Sequence, residues 1–171
     1  MNVGVPLVDD DVVINASAQP GVAVDSASFE RFYRAELPGQ VQRAALLLGS
    51  SASANDAVHD AFIAVFTRWS ELSEPGPYLN RCVLNRCRDL QRRQRAAPQL
   101  SRPAFVGDRS DDVELWDALR SLSFGQRAAL IMRYWEGMDE RHIANALGVR
   151  PGSVGSLLTR GKRNLKRRWE Q

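Results

Sequence analysis

Residues 139–168 read DERHIANALGVRPGSVGSLLTRGKRNLKRR, and this stretch carries the clearest structural pattern in its half of the chain. Ile143 and Leu147 lie on one apolar face of a first helix, and Gly148 can adopt the left-handed conformation that a tight helix exit needs. Pro151 suits the first position of a second helix, where its missing N–H costs nothing. The pattern predicts a helix-turn-helix with a basic tail, a unit that enters the DNA major groove.

The second helix of this motif has an inner and an outer face. Val154 and Leu158, four residues apart, are predicted to point inward. An outer face of hydroxyl and basic side chains is suited to hydrogen bonds with bases and to ion pairs with phosphates. The residues predicted to face outward are Ser153, Ser156, Thr159, Arg160 and Arg163.

Positive charge is concentrated in two parts of this 171-residue chain. The net charge is +3, and it is +7 without residues 1–28, which carry four acids and no Lys or Arg. Two basic helices indicate two contacts with a polyanion, and two solvated helix faces are the alternative. The first cluster is Arg81, Arg86, Arg88, Arg92, Arg93 and Arg95; the second is Arg160, Lys162, Arg163, Lys166, Arg167 and Arg168.

Several classes of protein are disfavoured by the composition. No apolar run approaches the roughly 18–20 residues of a membrane-spanning helix, and the acidic start is unlike a secretory signal. Cys82 and Cys87 are five residues apart on a predicted helix, which disfavours a disulfide or a metal pair. The two histidines, His59 and His142, fall in different halves, so no catalytic or metal-binding cluster is apparent. We expect a cytoplasmic protein without a cofactor that is not an enzyme.

Apolar periodicity predicts an all-α protein of two small helical domains. Residues 1–27 are predicted to be a disordered tail, 28–95 a first helical domain, 96–111 a flexible linker and 112–171 a second domain with the helix-turn-helix. No strand-like alternation and no internal repeat interrupts this organisation.

Within the first domain, four helical segments are predicted. Ser28 is expected to cap a helix that Pro38 and Gly39 interrupt, and a second helical run follows from Val41 to Leu48. Residues 54–69 form a strongly amphipathic helix, and 70–77, which contain Pro75 and Pro77, are expected to be a loop. A further helix follows near 78–95, with a polar outer stripe of Arg81, Asn85, Arg88 and Arg92.

Two details of side-chain direction complete the prediction. Trp69 follows the apolar phase of its helix and is expected in the core, and a helix of the second domain is predicted to carry Leu130, Ile131 and Tyr134 and to stop at Gly137. Ser123 with Gln126 is typical of a capping box, and Asp139 is expected to cap the first helix of the helix-turn-helix.

With these residues placed, the chain resembles the bacterial extracytoplasmic-function (ECF) sigma factors, group 4 of the sigma-70 family, over about residues 28–167. The likeness is strongest to the actinobacterial SigE-like subgroup, through Leu46-Leu47-Leu48-Gly49. The family's Glu-Asp-x-x-Gln-Glu-x-Phe pattern corresponds to residues 55–62. The resemblance implies a sigma region 2 domain, a sigma region 4 domain and a surface for the β′ clamp helices of core RNA polymerase, formed by Asp56, His59, Asp60 and Ile63.

The resemblance also implies two DNA-binding surfaces. Strand opening at the minus-ten element requires cations along the backbone and polar groups for an extruded base; the implied residues are Asn80, Arg81, Asn85, Arg88, Arg92 and Arg93. The family's Leu-Pro-x-x-Gln-Arg pattern corresponds to residues 122–127, ahead of the helix-turn-helix. The implied contacts with the minus-thirty-five element are Arg133, Arg150, Ser153, Ser156, Thr159, Arg160 and Arg163.

Some positions depart from the family pattern. His59 stands where Gln is usual and His142 where Glu is usual, and Gly155 and Leu157 replace common cations. Gly155 and Gly161 each cost the helix about 1 kcal/mol relative to Ala. We expect weaker or altered recognition of the upstream element, and we expect Lys at 155 with Arg at 157 to tighten duplex binding.

The expected function is that of a sigma factor, which directs core polymerase to promoters and initiates transcription. The partners implied are core polymerase through its β′ clamp helices and β flap, promoter DNA, and an anti-sigma factor or other regulatory protein, with no membrane. A stand-alone helix-turn-helix regulator that binds duplex DNA without polymerase is the alternative. A regulator has no need for the acidic patch at 56–60, and co-purification with core polymerase separates the two.

Overall fold

The chain is helical throughout the parts that the structure, a computed structural model, describes: residues 26–96 and 117–169. The first half consists of α1 (Ser26–Leu48), α2 (Ser51–Thr67), a 3-10 turn (Trp69–Glu71) and α3 (Pro75–Ala96). In the second half, residues 117–121 are helical. They precede α4 (Phe124–Leu130), a π-helical turn (Ile131–Trp135), α5 (Glu140–Leu147) and α6 (Pro151–Trp169). No strand occurs in the described ranges, and the predicted all-α class is confirmed.

Helix α1 runs without a break through Pro38, so the predicted interruption was wrong. Pro38 is exposed, and α1 packs along α2 on both sides of it, through Tyr33 before it and Leu47 after it. This packing outweighs the loss of one helical hydrogen bond at the proline. Ser28 does not cap α1, because it lies inside the helix and its hydroxyl accepts a hydrogen bond from Trp69 Nε1 at 3.1 Å.

The boundaries of α2 and α3 also differ from the prediction. Ser50 caps α2, its hydroxyl accepting from the Ser53 N–H at 3.2 Å, so α2 begins three residues earlier than expected and ends at Thr67. The loop expected over 70–77 is shorter, because α3 begins at Pro75. Proline is favoured at this position since the first N–H of a helix has no intrahelical partner.

The core of the first half lies among α1, α2 and α3. Helix α2 supplies a fully apolar inner face at helical spacing, which decides how it sits between its neighbours. The buried residues of that face are Ala54, Ala57, Val58, Ala61, Phe62 and Val65.

A π-helical turn at Ile131–Trp135 continues α4 and changes which side chains of this helix face the core. The N–H of Glu136 donates to the Ile131 carbonyl at 3.3 Å, which is an i to i+5 bond. This extra residue per turn carries Tyr134 out of the core, where its side chain is 62% exposed. The helix predicted to carry Leu130, Ile131 and Tyr134 therefore changes from α-helical to π-helical at Ile131.

The two halves pack against each other. Helix α3 contacts α5, and α1 contacts α4. Buried apolar residues of both halves belong to one continuous cluster. The predicted tail lies outside the described residues up to position 25, and so does the predicted linker apart from Ala96, the last residue of α3.

Candidate functional site

One face of α2 carries the acidic patch. Asp56, His59, Asp60 and Ile63 are all exposed, as the sequence predicted, because the opposite face is buried against α1 and α3. Ile63 keeps 53% of its surface exposed. The nearest cation is Arg86 of α3, whose Nε lies 4.0 Å from Asp60 Oδ2. Exposed pairs at this distance contribute little, so both carboxylates remain available to a cationic partner.

An aromatic cluster packs against the buried face of α2. The Trp69 ring packs edge-on against Phe29 at 5.2 Å between centroids and contacts Phe32 at 5.1 Å. Phe29 and Phe32 also contact Phe62 of α2. Trp69 is therefore a packing residue, as its helical phase predicted, and its indole is not presented as a stacking platform.

At the start of α3, Asn80 is tied into the first half. Its Oδ1 accepts hydrogen bonds from Gln40 Nε2 at 2.7 Å and from Arg43 Nη1 at 2.6 Å. The side-chain carbonyl of Asn80 thus already accepts two hydrogen bonds. Its side-chain N–H groups are the part that can donate to a base edge.

The cationic stripe of α3 divides into a part that contacts the second half and a part that does not. Arg81 Nη2 donates to Asn145 Oδ1 of α5 at 2.8 Å. Arg88 lies over the Phe124 ring of α4, 5.3 Å from its centroid, and its Nη2 reaches the Leu147 carbonyl at 3.4 Å. Asn85 between them is partly buried.

Beyond Arg88 the stripe is open. Arg92 and Arg93 are exposed, and Arg92 pairs with Asp89 on the same helix at 3.1 Å. Asp89 is therefore a local partner of a neighbouring arginine.

The helix-turn-helix has the local geometry that its sequence predicts. The Asp139 carboxylate accepts from the His142 N–H at 2.8 Å and caps α5, and these hydrogen bonds hold the pKa of Asp139 below its usual range. Gly148 ends α5 in the left-handed region, with φ 65° and ψ 37°. Pro151 is the first residue of α6.

Helix α6 presents its predicted faces. Val154 and Leu158 are buried. All the residues implied as minus-thirty-five contacts on and before this helix are exposed: Arg150, Ser153, Ser156, Thr159, Arg160 and Arg163. Arg133 is exposed too, but it lies in the π-helical turn, where its Nη1 donates to the Met138 carbonyl at 3.0 Å.

Two departures from the family pattern have a packing role. A Cβ at Gly161 would lie 2.9 Å from Leu130 Cδ1, so the glycine permits α6 to approach α4 closely. Leu157 is partly buried, and its Cδ2 lies 3.4 Å from the position of a Cβ at Gly125. Leu157 therefore belongs to the edge of the core.

Two further features were not found by sequence reasoning. Trp135 is 62% exposed beside Tyr134, and the Tyr134 ring lies 5.7 Å from Lys162 Nζ. Arg43 of α1 forms a two-point ion pair with Glu136, with Nε–Oε1 at 2.5 Å and Nη2–Oε2 at 2.6 Å. Their separation of 93 positions leaves no sequence pattern that would reveal the pair.

The described ranges contain no group of three or more His, Cys, Asp or Glu side chains placed to hold a metal ion. Within the same ranges, no helix combines the length and apolar character needed to cross a membrane.

Comparison with known families assigns both halves. The family model for Sigma-70 region 2 matches residues 32–97, and the model for Sigma-70, region 4 matches residues 112–165. Each match covers most of one of the two halves described above.

Whole-chain relatives agree with these matches. The chain is 30% identical over 155 residues to the ECF RNA polymerase sigma factor SigM of Mycobacterium tuberculosis, covering 85% of this chain and 79% of the relative. It is 27% identical over 152 residues to the RNA polymerase sigma-E factor of Streptomyces avermitilis, covering 83% and 85%.

Solved structures share the fold. The sigma factor RpoE of Bartonella quintana, in complex with the anti-sigma factor NepR, matches with a TM-score of 0.67 at 20% identity, over 84% of this chain and 97% of that one. CnrH in complex with the cytosolic domain of CnrY matches with a TM-score of 0.68 at 22% identity, over 85% and 90%.

Proposed function

The chain belongs to the sigma-70 family as an ECF RNA polymerase sigma factor, and from that premise we propose which of its surfaces hold the polymerase and which read the promoter. Its function is to direct core polymerase to promoters and to initiate transcription. A stand-alone helix-turn-helix regulator is not favoured, because region 2 is present as well as region 4.

The acidic patch of α2 is the proposed contact with core polymerase. Asp56, His59 and Asp60 offer two carboxylates and one imidazole on a single exposed face, with Ile63 as an apolar neighbour. A partner for this face presents cations around a small apolar site, and the β′ clamp helices are that partner in the family. The arrangement suits rapid, charge-steered association.

The proposed minus-ten surface is α3. Arg92 and Arg93 provide exposed cations for the phosphates of the opened strand, and Arg81 and Arg88 extend the same line once their contacts with the second half are released. Asn80 and Asn85 are the amides nearest to an extruded base. Single-strand binding of this kind combines backbone cations with polar or stacking groups for the bases.

The outer face of α6 is the proposed minus-thirty-five surface. Ser153 and Ser156 lie at its N-terminal end, which is the end that recognition helices insert toward base edges. Arg150, Arg160 and Arg163 are placed for phosphates or guanine edges. Arg133 is a more distant phosphate contact.

The proposed partners and cellular location follow from the family. Core polymerase, through its β′ clamp helices and β flap, and promoter DNA are the proposed partners, together with an anti-sigma factor, the kind of protein with which RpoE of Bartonella quintana is complexed. We place the chain in the cytoplasm, at the nucleoid when bound to polymerase. It acts as an initiation factor and not as a catalyst, since the polymerase performs the chemistry.

The observation that carries this assignment is the presence of both sigma regions with an exposed acidic face on α2. The test is run-off transcription with purified core polymerase on a library of genomic fragments. Wild-type protein is expected to yield discrete transcripts, and the double variant Asp56→Lys with Asp60→Lys is expected to yield none.

The matched control is Glu30→Lys on α1, an exposed acid whose ion-pair partner is Arg34 on the same helix. This control is expected to retain full activity. Transcripts from the double charge reversal at the level of the control would contradict the proposed polymerase surface, and an inactive wild type on every template would contradict the function.

A further inference from the structure

We propose that the packed arrangement of the two halves is a closed state, latched by Arg43 and Glu136, in which α3 is withheld from promoter DNA until the halves separate. The proposal rests on the proposed function of α3 and adds a regulatory contact to it. Its basis is the set of contacts that cross between the halves.

The latch is a buried, two-point ion pair. The side chains of Arg43 and Glu136 are 7% and 16% exposed, and both guanidinium–carboxylate contacts are 2.6 Å or shorter. The third nitrogen, Nη1, donates to Asn80 Oδ1 at 2.6 Å and to Gln40 Oε1 at 3.2 Å. Removal of the carboxylate leaves a buried arginine without its counter-charge, which is strongly unfavourable. Glu136 therefore favours the closed arrangement specifically.

The contacts around the latch engage two arginines of α3. Arg81 is bonded to Asn145, and Arg88 is bonded to the Leu147 carbonyl and lies over Phe124. All three of these partners belong to the second half. Two of the cations proposed for the opened strand are therefore directed at protein in this arrangement.

Promoter geometry requires the halves to separate. The minus-ten and minus-thirty-five elements lie about 25 base pairs apart, which is about 85 Å along B-form DNA. Helix α3 is in direct contact with α5, the helix that precedes the recognition helix. A chain in this arrangement cannot place α3 on one element and α6 on the other.

The closed arrangement does not block α6. Ser153, Ser156, Arg160 and Arg163 are exposed on its outer face, away from the contacts with α3. The closed chain is therefore competent for duplex DNA through α6 and deficient in single-strand binding through α3. The ratio of these two affinities measures the state of the latch.

The reactivity of Cys87 is a measure of whether the two halves are packed together. Its thiol is fully buried on α3, and burial raises its pKa to about 12, against the opposing effects of Arg43 from the first half and Arg127 from the second. The thiolate is the reactive form. Separation of the halves removes one side of this environment and is expected to speed modification of Cys87.

The experiment uses the full chain with Cys82→Ser, so that Cys87 is the single thiol. The variant Glu136→Gln keeps the shape of the side chain and removes its charge. We expect a roughly tenfold faster reaction of Cys87 with a maleimide and a roughly tenfold higher ratio of affinity for a mixed-sequence single-stranded 12-mer to affinity for a duplex. The matched control is Glu140→Gln, an exposed acid at the start of α5.

The outcomes separate the latch from the function. Equal maleimide rates and equal affinity ratios in Glu136→Gln and Glu140→Gln overturn the latch, even while wild-type protein initiates transcription with core polymerase. Failure of wild type to initiate overturns the function, whatever the thiol does. If Glu136→Gln loses duplex binding because its second half is misfolded, Arg43→Lys takes its place: an increase of about threefold in both readouts supports the latch, and no increase overturns it.

Discussion

Helices α3 and α6 are alike in charge and different in availability. Both carry a run of basic residues, and both are proposed to bind nucleic acid. On α3, Arg81 and Arg88 contact the second half, and Arg92 pairs with Asp89. On α6, Arg160 and Arg163 are exposed and make no hydrogen bond or ion pair within the described parts of the chain. Composition identifies two cationic helices, and packing determines which of them is ready to bind.

The difference arises from the neighbours of each helix. Helix α3 lies between α2 on one side and α5 on the other, whereas α6 packs mainly on α4 and α5 among the described helices. We therefore expect free protein to bind duplex DNA through α6 and to use α3 only with polymerase.

The largest effect is expected from removing the open cations of α6. Arg160→Ala with Arg163→Ala is expected to lower the affinity of free protein for duplex DNA about 30-fold, since two phosphate contacts of about 1 kcal/mol each are lost. The slope of log affinity against log salt is expected to fall by about 1.8. Fluorescence anisotropy at several salt concentrations measures both quantities.

The matched control for this prediction is Arg81→Ala with Arg88→Ala on α3. The same two-charge change on arginines that contact the second half is expected to leave duplex affinity within about twofold of wild type. Equal losses from the two pairs of substitutions would show that the cations of α3 and α6 are equally available and would break the contrast.

The next largest effect concerns the close approach of α6 to α4. Gly161→Val is expected to lower the free energy of unfolding of the second half by about 2 kcal/mol, because the new side chain meets Leu130 in a packed interface. Gly152→Ala, where a Cβ meets nothing within 4 Å, is the control and is expected to be neutral or stabilising. Urea unfolding followed by circular dichroism distinguishes them, and a stable Gly161→Val variant would contradict the packing role.

A smaller gain is expected from Gly155→Lys. The position is open, with Glu140 Oε2 3.9 Å from where a Cβ would lie, so a lysine is accommodated and adds a cation near the reading end of α6. Duplex affinity is expected to rise about fivefold and the salt slope by about 0.9. Gly155→Ala separates the helix-propensity effect from the charge effect; no gain of the lysine variant over the alanine variant would contradict the prediction.

The smallest effect is a pH dependence at the cap of α5. Hydrogen bonds from His142 lower the pKa of Asp139 in the folded chain, so the carboxylate contributes stability above its unfolded pKa of about 3.9, and this is lost as pH falls through the lower folded value. Wild type is expected to lose Tm more steeply than Asp139→Asn below about pH 4. Parallel Tm profiles of the two proteins would contradict this role of the carboxylate.

Much of the local structure could be predicted from the sequence because short-range patterns determine it. The exposure of Asp56 and Asp60, the cap at Asp139 and the turn at Gly148 each depend on residues within one or two helical turns. The helix boundaries predicted for residues 139–168 were correct for this reason.

What could not be predicted depends on long-range packing. Pro38 does not break α1 because α2 supports the helix on both sides, and the π-helical turn that exposes Tyr134 leaves no periodic signal. Leu157 occupies a position where the family commonly has a cation, and its packing near Gly125 is visible only in the structure. The pairing of Arg43 with Glu136 joins residues from different halves and follows only from the folded arrangement.

The most direct measurement follows the distance between the halves by energy transfer, with dyes on Ala35→Cys and Arg167→Cys in a Cys82→Ser, Cys87→Ser background. Both labelled positions are exposed, on α1 and α6. In free protein the dyes are expected to lie within the size of the folded chain, on the order of 40 Å. In the complex with core polymerase and promoter, transfer is expected to fall toward zero as the two DNA-binding helices move to sites about 85 Å apart. Undiminished transfer in a transcriptionally active complex would contradict the account.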